Sequence, residues 1–311
     1  MNNQIKKINF NHSFIFFLSC NAISLIIFKI NNLTISPLIC LFMILSIGIS
    51  HGSLDNIKGK KLLKIFELNN NYIFYLTYIS IALAVIIMWT IIPSVSLILF
   101  LITASFHFGK EDTQFLVPQN SYYYQLLFFL KGSLIILAPM YFHFDETTSI
   151  FKLLFIDNEL FFEALSFIRI NKLIVFSIIL STLSSILLFI EKFEFKKFTI
   201  FLDYFSILII NYYFSPLVAF TIYFCFLHSV RHSITLMIEL DENDFKNGLK
   251  VFVKKAIPLT VLTATFCLIG LYFLTNEYNL NSSILKIIFI GLASLTFPHI
   301  LLEYLLEKNE K

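Results

Sequence analysis

Charged residues are scarce in this chain of 311 residues, since Asp, Glu, Lys and Arg together make up only 14% of it. A typical soluble domain carries about 25%, so too little polar surface is present to cover a water-soluble globule. Only eight glycines occur, which excludes a collagen-like repeat. The apolar composition also excludes a nucleic-acid-binding module, whereas the small net charge of +3 indicates little about partners.

The cysteines are few and dispersed. Cys20, Cys40, Cys225 and Cys267 all lie inside apolar stretches, without a short-range pair. We interpret them as small buried hydrophobic residues, and the pattern predicts neither a disulfide framework nor a zinc–thiolate site. A cleavable signal is not expected either, because the first apolar run lacks a small-residue cleavage site and further apolar runs follow it.

Long apolar runs are what the chain has in abundance. Apolar residues make up 58% of it, and the mean hydropathy is +0.81. This composition predicts an all-α, polytopic transmembrane helix bundle that forms a single integral-membrane domain over residues 1–311. We expect about ten spans, with eight or nine as alternatives because three of the runs are short. The runs are 13–30, 35–50, 72–91, 94–108, 123–141, 172–190, 198–214, 216–232, 255–275 and 284–303.

The distribution of positive charge predicts the orientation of these spans. An even number of spans places both termini on one side, and most of the 23 Lys and Arg residues lie on that side. The positive-inside rule therefore makes both termini cytoplasmic. Residues 146–171 mix aromatic and charged residues and are interpreted as an interfacial or re-entrant segment. Residues 233–253 are interpreted as a long acidic loop.

Five of the seven histidines follow a common pattern. Each lies at or near the cytoplasmic end of an even-numbered predicted span, whereas His12 and His143 lie at other boundaries. A single histidine at a helix end is usually an interfacial residue, but several at one depth of a bundle can converge on a site. The five are His51, His107, His228, His232 and His299.

A metal site is the first hypothesis for this group. His228 and His232 are four residues apart, which places both imidazoles on one face of a helix. His51 and His107 complete a set of four nitrogen ligands. Imidazole ligands alone leave iron, zinc, copper and manganese all chemically possible.

Nearby charged residues are candidates for supporting these ligands. Asp55 follows His51 by four residues, Asp112 follows His107 by five, and Glu303 follows His299 by four. A histidine that binds a metal usually donates its other nitrogen to such a carboxylate. A solvated loop acid is the alternative for Asp112. Arg231 is either a membrane anchor or a partner for a carboxylate, and Lys131, in mid-span, is expected to face a partner inside the bundle.

Four motifs, taken together and in order, resemble a known family of bacterial and archaeal membrane proteins. This is the Brp/Blh family of beta-carotene 15,15'-dioxygenases, and the resemblance covers about residues 48–303. The motifs are Gly48-Ile-Ser-His51-Gly52-Ser-Leu-Asp55, Phe106-His107-Phe108-Gly109-Lys-Glu-Asp112, His228-Ser-Val-Arg231-His232 and Phe297-Pro298-His299.

The resemblance implies an enzyme of the inner cell membrane that uses Fe(2+) and O2 to split beta-carotene into two molecules of all-trans retinal. It assigns the ferrous ion to His51, His107, His228 and His232, and gives His299 a further role. Retinal would pass to a rhodopsin-type apoprotein, and no nucleic-acid partner is implied. The lipid bilayer would supply the substrate.

Two other functions stay open on the residues alone. Histidine-box lipid desaturases and hydroxylases also carry histidines at cytoplasmic helix ends, but they generally need eight or more, and this chain has seven. A transporter would carry carboxylates at mid-span and repeated halves. Asp203 is such a carboxylate, but we find no convincing internal repeat.

Overall fold

The computed structural model describes residues 2–29, 35–68, 70–117 and 121–309, and the side chains of residues 2, 27–29 and 51 lie outside that description. Within these ranges every regular element is a helix and no β-strand occurs, which confirms the predicted all-α fold. The helices are α1 Asn2–Lys29, α2 Pro37–Met43, α3 Asp55–Ile65, α4 Asn71–Ile91, α5 Pro93–Glu111, α6 Tyr122–Gly132, α7 Leu134–Phe142, α8 Phe144–Leu153, α9 Glu159–Ile170, α10 Leu173–Ile190, α11 Thr199–Tyr213, α12 Pro216–Ile222, α13 Val230–Leu240, α14 Phe245–Leu274 and α15 Leu280–Asn309.

Proline marks the start of several helices. Pro37, Pro93 and Pro216 each stand at the first position of a helix, where no intrahelical hydrogen bond is lost. Before Pro37, the Ser36 side chain accepts a hydrogen bond from the Leu38 amide and caps the helix. These local signals break the long apolar sequence into separate helices.

Seven helical stretches among the described residues are long and apolar enough to cross a membrane. A pair of helices bent by 42°, Pro37–Gly48 and Gly52–Ile65, makes an eighth candidate. A helical membrane bundle is therefore supported, while a count of ten is not confirmed. The seven are Asn71–Ile91, Pro93–Glu111, Tyr122–Phe142, Leu173–Ile190, Pro216–Leu240, Phe245–Leu274 and Leu280–Asn309.

Three of the ten predicted runs lie outside the seven. Residues 13–29 of the run 13–30 lie in α1, and residue 30 lies outside the described residues. The run 35–50 belongs to the bent pair. The run 198–214 corresponds to α11, which has only 15 residues where a span takes about 20.

Two segments near the predicted membrane surfaces are helical. Residues 146–171 form most of α8 and α9, which are joined by an ion pair of 2.8 Å between Arg169 and Asp145, and neither helix is a candidate span. The long acidic loop predicted at 233–253 is wrong, because α13 continues to Leu240 and α14 begins at Phe245. Burial of Ile234 and Ile238, one turn apart, stabilises this extension of α13.

Glycine allows α5 and α6 to cross in close contact. A Cβ added at Gly109 would lie 1.8 Å from the carbonyl oxygen of Phe128, and one at Gly132 would lie 1.9 Å from that of Ser105. Small residues at such a crossing let helix backbones touch, which is the usual way for membrane helices to pack. The contact positions the end of α5, where His107 lies.

Two of the candidate spans, the bent pair and Pro216–Leu240, contain π-helical turns. The first π segment is Ile44–Gly48, which leads into a 3-10 turn at Ile49–Leu54, and the second π segment is Tyr223–Ser229. The Ser229 hydroxyl donates to the Gly48 carbonyl at 3.0 Å and joins the two segments. Single π turns inside α-helices frequently occur at functional sites.

Candidate functional site

Four buried imidazole rings meet at one end of the bundle and are named here the histidine cluster. His107 lies on α5, His228 in the second π segment, His232 on α13 and His299 on α15. The ring centroid of His107 is 5.3 Å from that of His228 and 5.3 Å from that of His299. The His299 centroid is 5.9 Å from that of His232. Residues far apart in the sequence therefore build one site.

The structure brings most of the metal ligands predicted from the sequence together. His107, His228 and His232 lie together in the histidine cluster. His51 lies in the 3-10 turn after the first π segment, and its side chain is outside the described part of the structure. His299, which the sequence left with a less defined role, lies inside the cluster and is 4% exposed.

The two remaining histidines lie elsewhere. His12 donates from Nε2 to the carbonyl oxygen of Phe226 at 2.8 Å, and His143 donates from Nε2 to that of Asn211 at 2.8 Å. Each of these rings therefore contacts a backbone carbonyl through Nε2, outside the histidine cluster.

A carboxylate contacts the Nδ1 atom of three of the four rings. His228 Nδ1 lies 3.3 Å from Asp112, His232 Nδ1 lies 3.1 Å from Glu111, and His299 Nδ1 lies 2.9 Å from both oxygens of Asp55. An imidazole that donates Nδ1–H to a carboxylate has a defined tautomer and presents Nε2 as the atom that binds a metal. Each of these three rings is oriented in this way by a residue on, or directly after, another helix.

Two of these carboxylates are themselves held by a tyrosine. The Tyr78 hydroxyl donates to Asp55 at 2.8 Å, and the Tyr223 hydroxyl donates to Asp112 at 2.6 Å. The same arrangement of imidazole, carboxylate and phenol is thus built twice from different helices. Buried carboxylates need such partners, because an unpaired one loses its hydration without compensation.

The pairing differs from the one expected from sequence spacing. Asp55 was expected to support His51, whose side chain lies outside the described structure, and the Asp55 carboxylate contacts His299. Asp112 was expected to support His107, but it contacts His228. Spacing along one helix brings side chains onto one face, whereas these contacts join residues on different helices.

Several functional candidates were missed by sequence analysis. Glu111 contacts His232, and Tyr78 and Tyr223 hold the carboxylates. Glu111 directly precedes Asp112 in the second motif, so a search for acids next to motif histidines finds it. For Tyr78 the sequence offers no signal, since an apolar span with other tyrosines surrounds it.

Arg231 lies behind the cluster in a buried ion network. Its guanidinium makes two contacts with Asp203, at 2.7 and 2.9 Å, and donates to the Ser13 hydroxyl at 2.6 Å. It also donates to the Asp112 carbonyl at 3.2 Å. Arg231 therefore binds carboxylates inside the protein instead of anchoring the chain at the membrane surface. Lys131 is buried and interacts electrostatically with Asp112 and Asp203.

This network keeps Asp112 charged. Burial disfavours the carboxylate, but the hydrogen bond with His228 and the positive charge of Arg231 outweigh burial and hold the pKa of Asp112 well below its usual range. Asp112 is therefore ionised at neutral pH and accepts a hydrogen bond from His228.

Aromatic rings cover the side of the cluster that faces the bundle interior. The ring centroid of Phe108 lies 4.7 Å from that of His228, in an edge-to-face contact. Phe224 stacks on the His228 ring with 5.9 Å between the ring centroids. Phe220 continues the stack onto Phe224 at 5.5 Å, with an angle of 9° between the rings. This apolar wall excludes water from the imidazoles on that side.

The donor atoms suit a metal ion. Ligand atoms of His107, His299 and Glu303 all lie within 4.8 Å of one another, and the same holds for Glu111, His232 and Glu303. Imidazole nitrogens with carboxylates behind them and a carboxylate oxygen beside them suit a first-row transition metal such as iron. The residues present therefore fit the group that the resemblance implies.

Comparison with known proteins identifies the family of this chain. The family model described as beta-carotene 15,15'-dioxygenase matches residues 42–307. A curated protein of that name from uncultured marine bacterium 66A03 is 27% identical over 272 residues, which is 84% of this chain and 90% of that protein. No solved structure matches the chain. The chain therefore belongs to the beta-carotene 15,15'-dioxygenase family and is a carotenoid-cleaving dioxygenase.

Proposed function

We propose that the chain cleaves beta-carotene with O2 at the central 15,15' double bond and releases two molecules of all-trans retinal. The reaction balances: one C=C bond and the O–O bond break, and each new aldehyde receives one oxygen atom. The observation that carries the proposal is the buried cluster of imidazoles with carboxylates on Nδ1, in a chain whose family match covers residues 42–307.

We also propose Fe(2+) as the cofactor. His51, His107, His228 and His232 stay the ligands predicted from the sequence, and the position of His299 supports adding it to the set. When bound, ferrous iron supplies the one-electron chemistry that allows O2 to react with a closed-shell hydrocarbon.

The remaining steps belong to residues of the chain itself. Asp112, Glu111 and Asp55 keep the imidazoles in one tautomer and one orientation. Phe108 and Phe224 keep water away from His228 and offer an apolar face to a polyene. Beta-carotene is a hydrocarbon and enters from the bilayer, which the exposed apolar faces of the helices contact.

We place the enzyme in the inner cell membrane as a multi-pass protein with both termini in the cytoplasm. Ten spans arise if α1 and α11 cross along with the eight candidates, and both counts are even. The retinal product would pass to a rhodopsin-type apoprotein, because the aldehyde is still largely hydrocarbon and dissolves poorly in water.

Expression in cells that make beta-carotene tests the activity directly. We expect loss of the orange colour and the appearance of retinal, identified by chromatography. Purified protein in detergent should lose activity with a ferrous chelator and regain it with Fe(II) but not with Zn(II). A transporter would make no retinal in detergent, and a desaturase would leave beta-carotene at its full length of 40 carbons; either result contradicts the proposal.

A further inference from the structure

Glu303 approaches the histidine cluster from a different side than the other carboxylates. It lies on α15, one turn after His299. Its Oε1 atom is 3.6 Å from His299 Nε2 and 3.8 Å from His232 Nε2. Both distances are too long for a hydrogen bond. Sequence spacing suggested Glu303 as the supporting acid of His299, but Asp55 fills that role at Nδ1.

The two edges of the His299 ring thus face two different carboxylates. Asp55, on the Nδ1 edge, is at hydrogen-bond distance, whereas Glu303 is on the Nε2 edge, where a metal would bind. Two ligand atoms that each lie about 2.0–2.2 Å from one ion are typically about 3–4 Å apart. The separations of Glu303 from His299 and His232 fall within that interval.

Glu303 is also shared by both groups of possible metal ligands among the described residues. One group contains His107 and His299, and the other contains Glu111 and His232. The first combination, two imidazoles and one carboxylate, is the ligand type of many non-haem Fe(II) oxygenases, which keep open positions for substrates.

Lys58 compensates the negative charge of the buried Glu303 side chain. Its Nζ atom lies 2.7 Å from Glu303 Oε1, and the Glu303 side chain is 14% exposed. A carboxylate this buried needs a positive partner. One turn further along α15, Glu307 forms a similar pair with Lys110 at 2.6 Å, and no contact joins Glu307 to a described histidine of the cluster.

We propose that Glu303 is an oxygen ligand of the metal ion held by the histidine cluster and that Lys58 positions it. This inference rests on the proposed function, because it concerns the same ion. It changes the expected ligand set from imidazoles alone to a mixed nitrogen and oxygen set.

The test uses full-length protein in detergent and compares Glu303→Gln with Glu307→Gln as the matched control. Fe(II) affinity is measured by titration, and Co(II) is used as a spectroscopic probe because its visible absorption depends on the ligands. We expect Glu303→Gln to weaken Fe(II) binding by about 10–100-fold or more and to change the Co(II) spectrum. Glu307→Gln should match the unsubstituted protein in both measurements.

Two further variants separate a ligand from a structural ion pair. Lys58→Met removes the pair but leaves the carboxylate, so it should retain the Co(II) spectrum, although affinity falls slightly. Glu303→Asp keeps the charge but shortens the side chain, and it should still alter the spectrum. It also serves as the test if Glu303→Gln fails to enter the membrane.

Several results would contradict the proposal that Glu303 is a metal ligand. If Glu303→Gln or Glu303→Asp keeps the affinity and spectrum of the unsubstituted protein, Glu303 is not a ligand. If Lys58→Met changes the spectrum as much as Glu303→Gln, the role of Glu303 is structural. Unsubstituted protein that binds metal but makes no retinal contradicts the proposed function alone, and protein that binds no metal contradicts both.

Discussion

The histidines of the cluster differ from ordinary core histidines in what surrounds each ring. His228, His232 and His299 each have a carboxylate at Nδ1, and that carboxylate comes from another helix. His143, in contrast, contacts only a backbone carbonyl among its hydrogen-bond partners in the described structure. A carboxylate at Nδ1 is the usual support of a metal-binding histidine, while a carbonyl merely satisfies a buried ring.

Alanine variants of the cluster histidines and of His143 should therefore behave differently. We expect His228→Ala, His232→Ala and His299→Ala to abolish retinal formation and to lose most bound iron. The protein should stay in the membrane, because alanine is well tolerated in helices. His143→Ala is the control and should keep near-normal activity. Retinal and iron are measured per amount of inserted protein, and full activity of His228→Ala or His232→Ala would remove the paired ligands from the site.

Replacement of a supporting carboxylate should have a smaller effect. Asp112→Asn keeps the size of the side chain but loses the negative charge that accepts from His228 and pairs with Arg231. Changes of this kind typically reduce metal affinity about 10–100-fold. Tyr223→Phe, which removes one hydrogen bond to Asp112, should fall between Asp112→Asn and the unsubstituted protein. Iron titration checks this order, and equal affinity of Asp112→Asn and the unsubstituted protein would contradict it.

At the scale of elements, the cluster depends on helices that are irregular or unusually close. The first π segment ends three residues before His51, and the second contains His228. The Ser229–Gly48 hydrogen bond joins the two segments. The crossing of α5 and α6 depends on glycine, since any side chain there would overlap a backbone carbonyl. Close contacts of this kind restrict how the helices can move, and a metal site requires its ligands within about 0.5 Å of the productive geometry.

Two glycine substitutions test the importance of the α5–α6 crossing. Gly109→Ala places a methyl group 1.8 Å from the Phe128 carbonyl oxygen, which only a shift of the whole helix can relieve. We expect a loss of about 3 kcal/mol or more in the free energy of unfolding, with little folded protein recovered. Gly291→Ala is the control, because nothing lies within 4 Å of its added Cβ. Its thermal stability should be unchanged or slightly raised, as alanine favours helix by about 1 kcal/mol.

That pair of variants has a clear contrary outcome. Equal melting temperatures of Gly109→Ala and the unsubstituted protein, measured in the same detergent, would mean that α5 and α6 are not packed as closely as described.

At the scale of the whole molecule, the number of spans determines how the chain is oriented in the membrane. Seven helices and the bent pair give eight candidate spans, and α1 and α11 raise this number to ten if both cross. Each count leaves the termini on the same side. By sequence, the histidines of the cluster fall at the span ends where most of the Lys and Arg residues occur, so the proposed orientation predicts a metal site near the cytoplasmic surface.

Reporter fusions test this orientation. Fusions at Asn70 and Asn247 should report a cytoplasmic location, and a fusion at Asn158, between α8 and α9, should report an external one. The physical reason is the retention of positively charged loops on the cytoplasmic side. A cytoplasmic signal from Asn158 would require an odd number of crossings between Asn70 and Asn158 to be removed or added.

Much of the general architecture follows directly from the sequence. A chain with 58% apolar residues must satisfy its backbone polar groups by helices when it lies in lipid, which is why the all-α fold was predictable. The apolar runs placed both ends of α4, α5, α10 and α11 within three residues. The length of α13 was misjudged because charged residues near the membrane surface resemble a loop, although one face of that helix is buried.

The location of the histidines at one end of the bundle was likewise determined by the sequence, because the end of a span is a property of the local apolar run. Only the tertiary structure decided which side chains meet. Asp55 contacts His299 across a separation of 244 residues, and Asp112 contacts His228 across 116. Helical spacing governs neighbours three or four residues apart, whereas contacts of this range depend on how the helices pack. For that reason the site's residue types and depth were readable from the chain, while its pairing of acids with imidazoles was not.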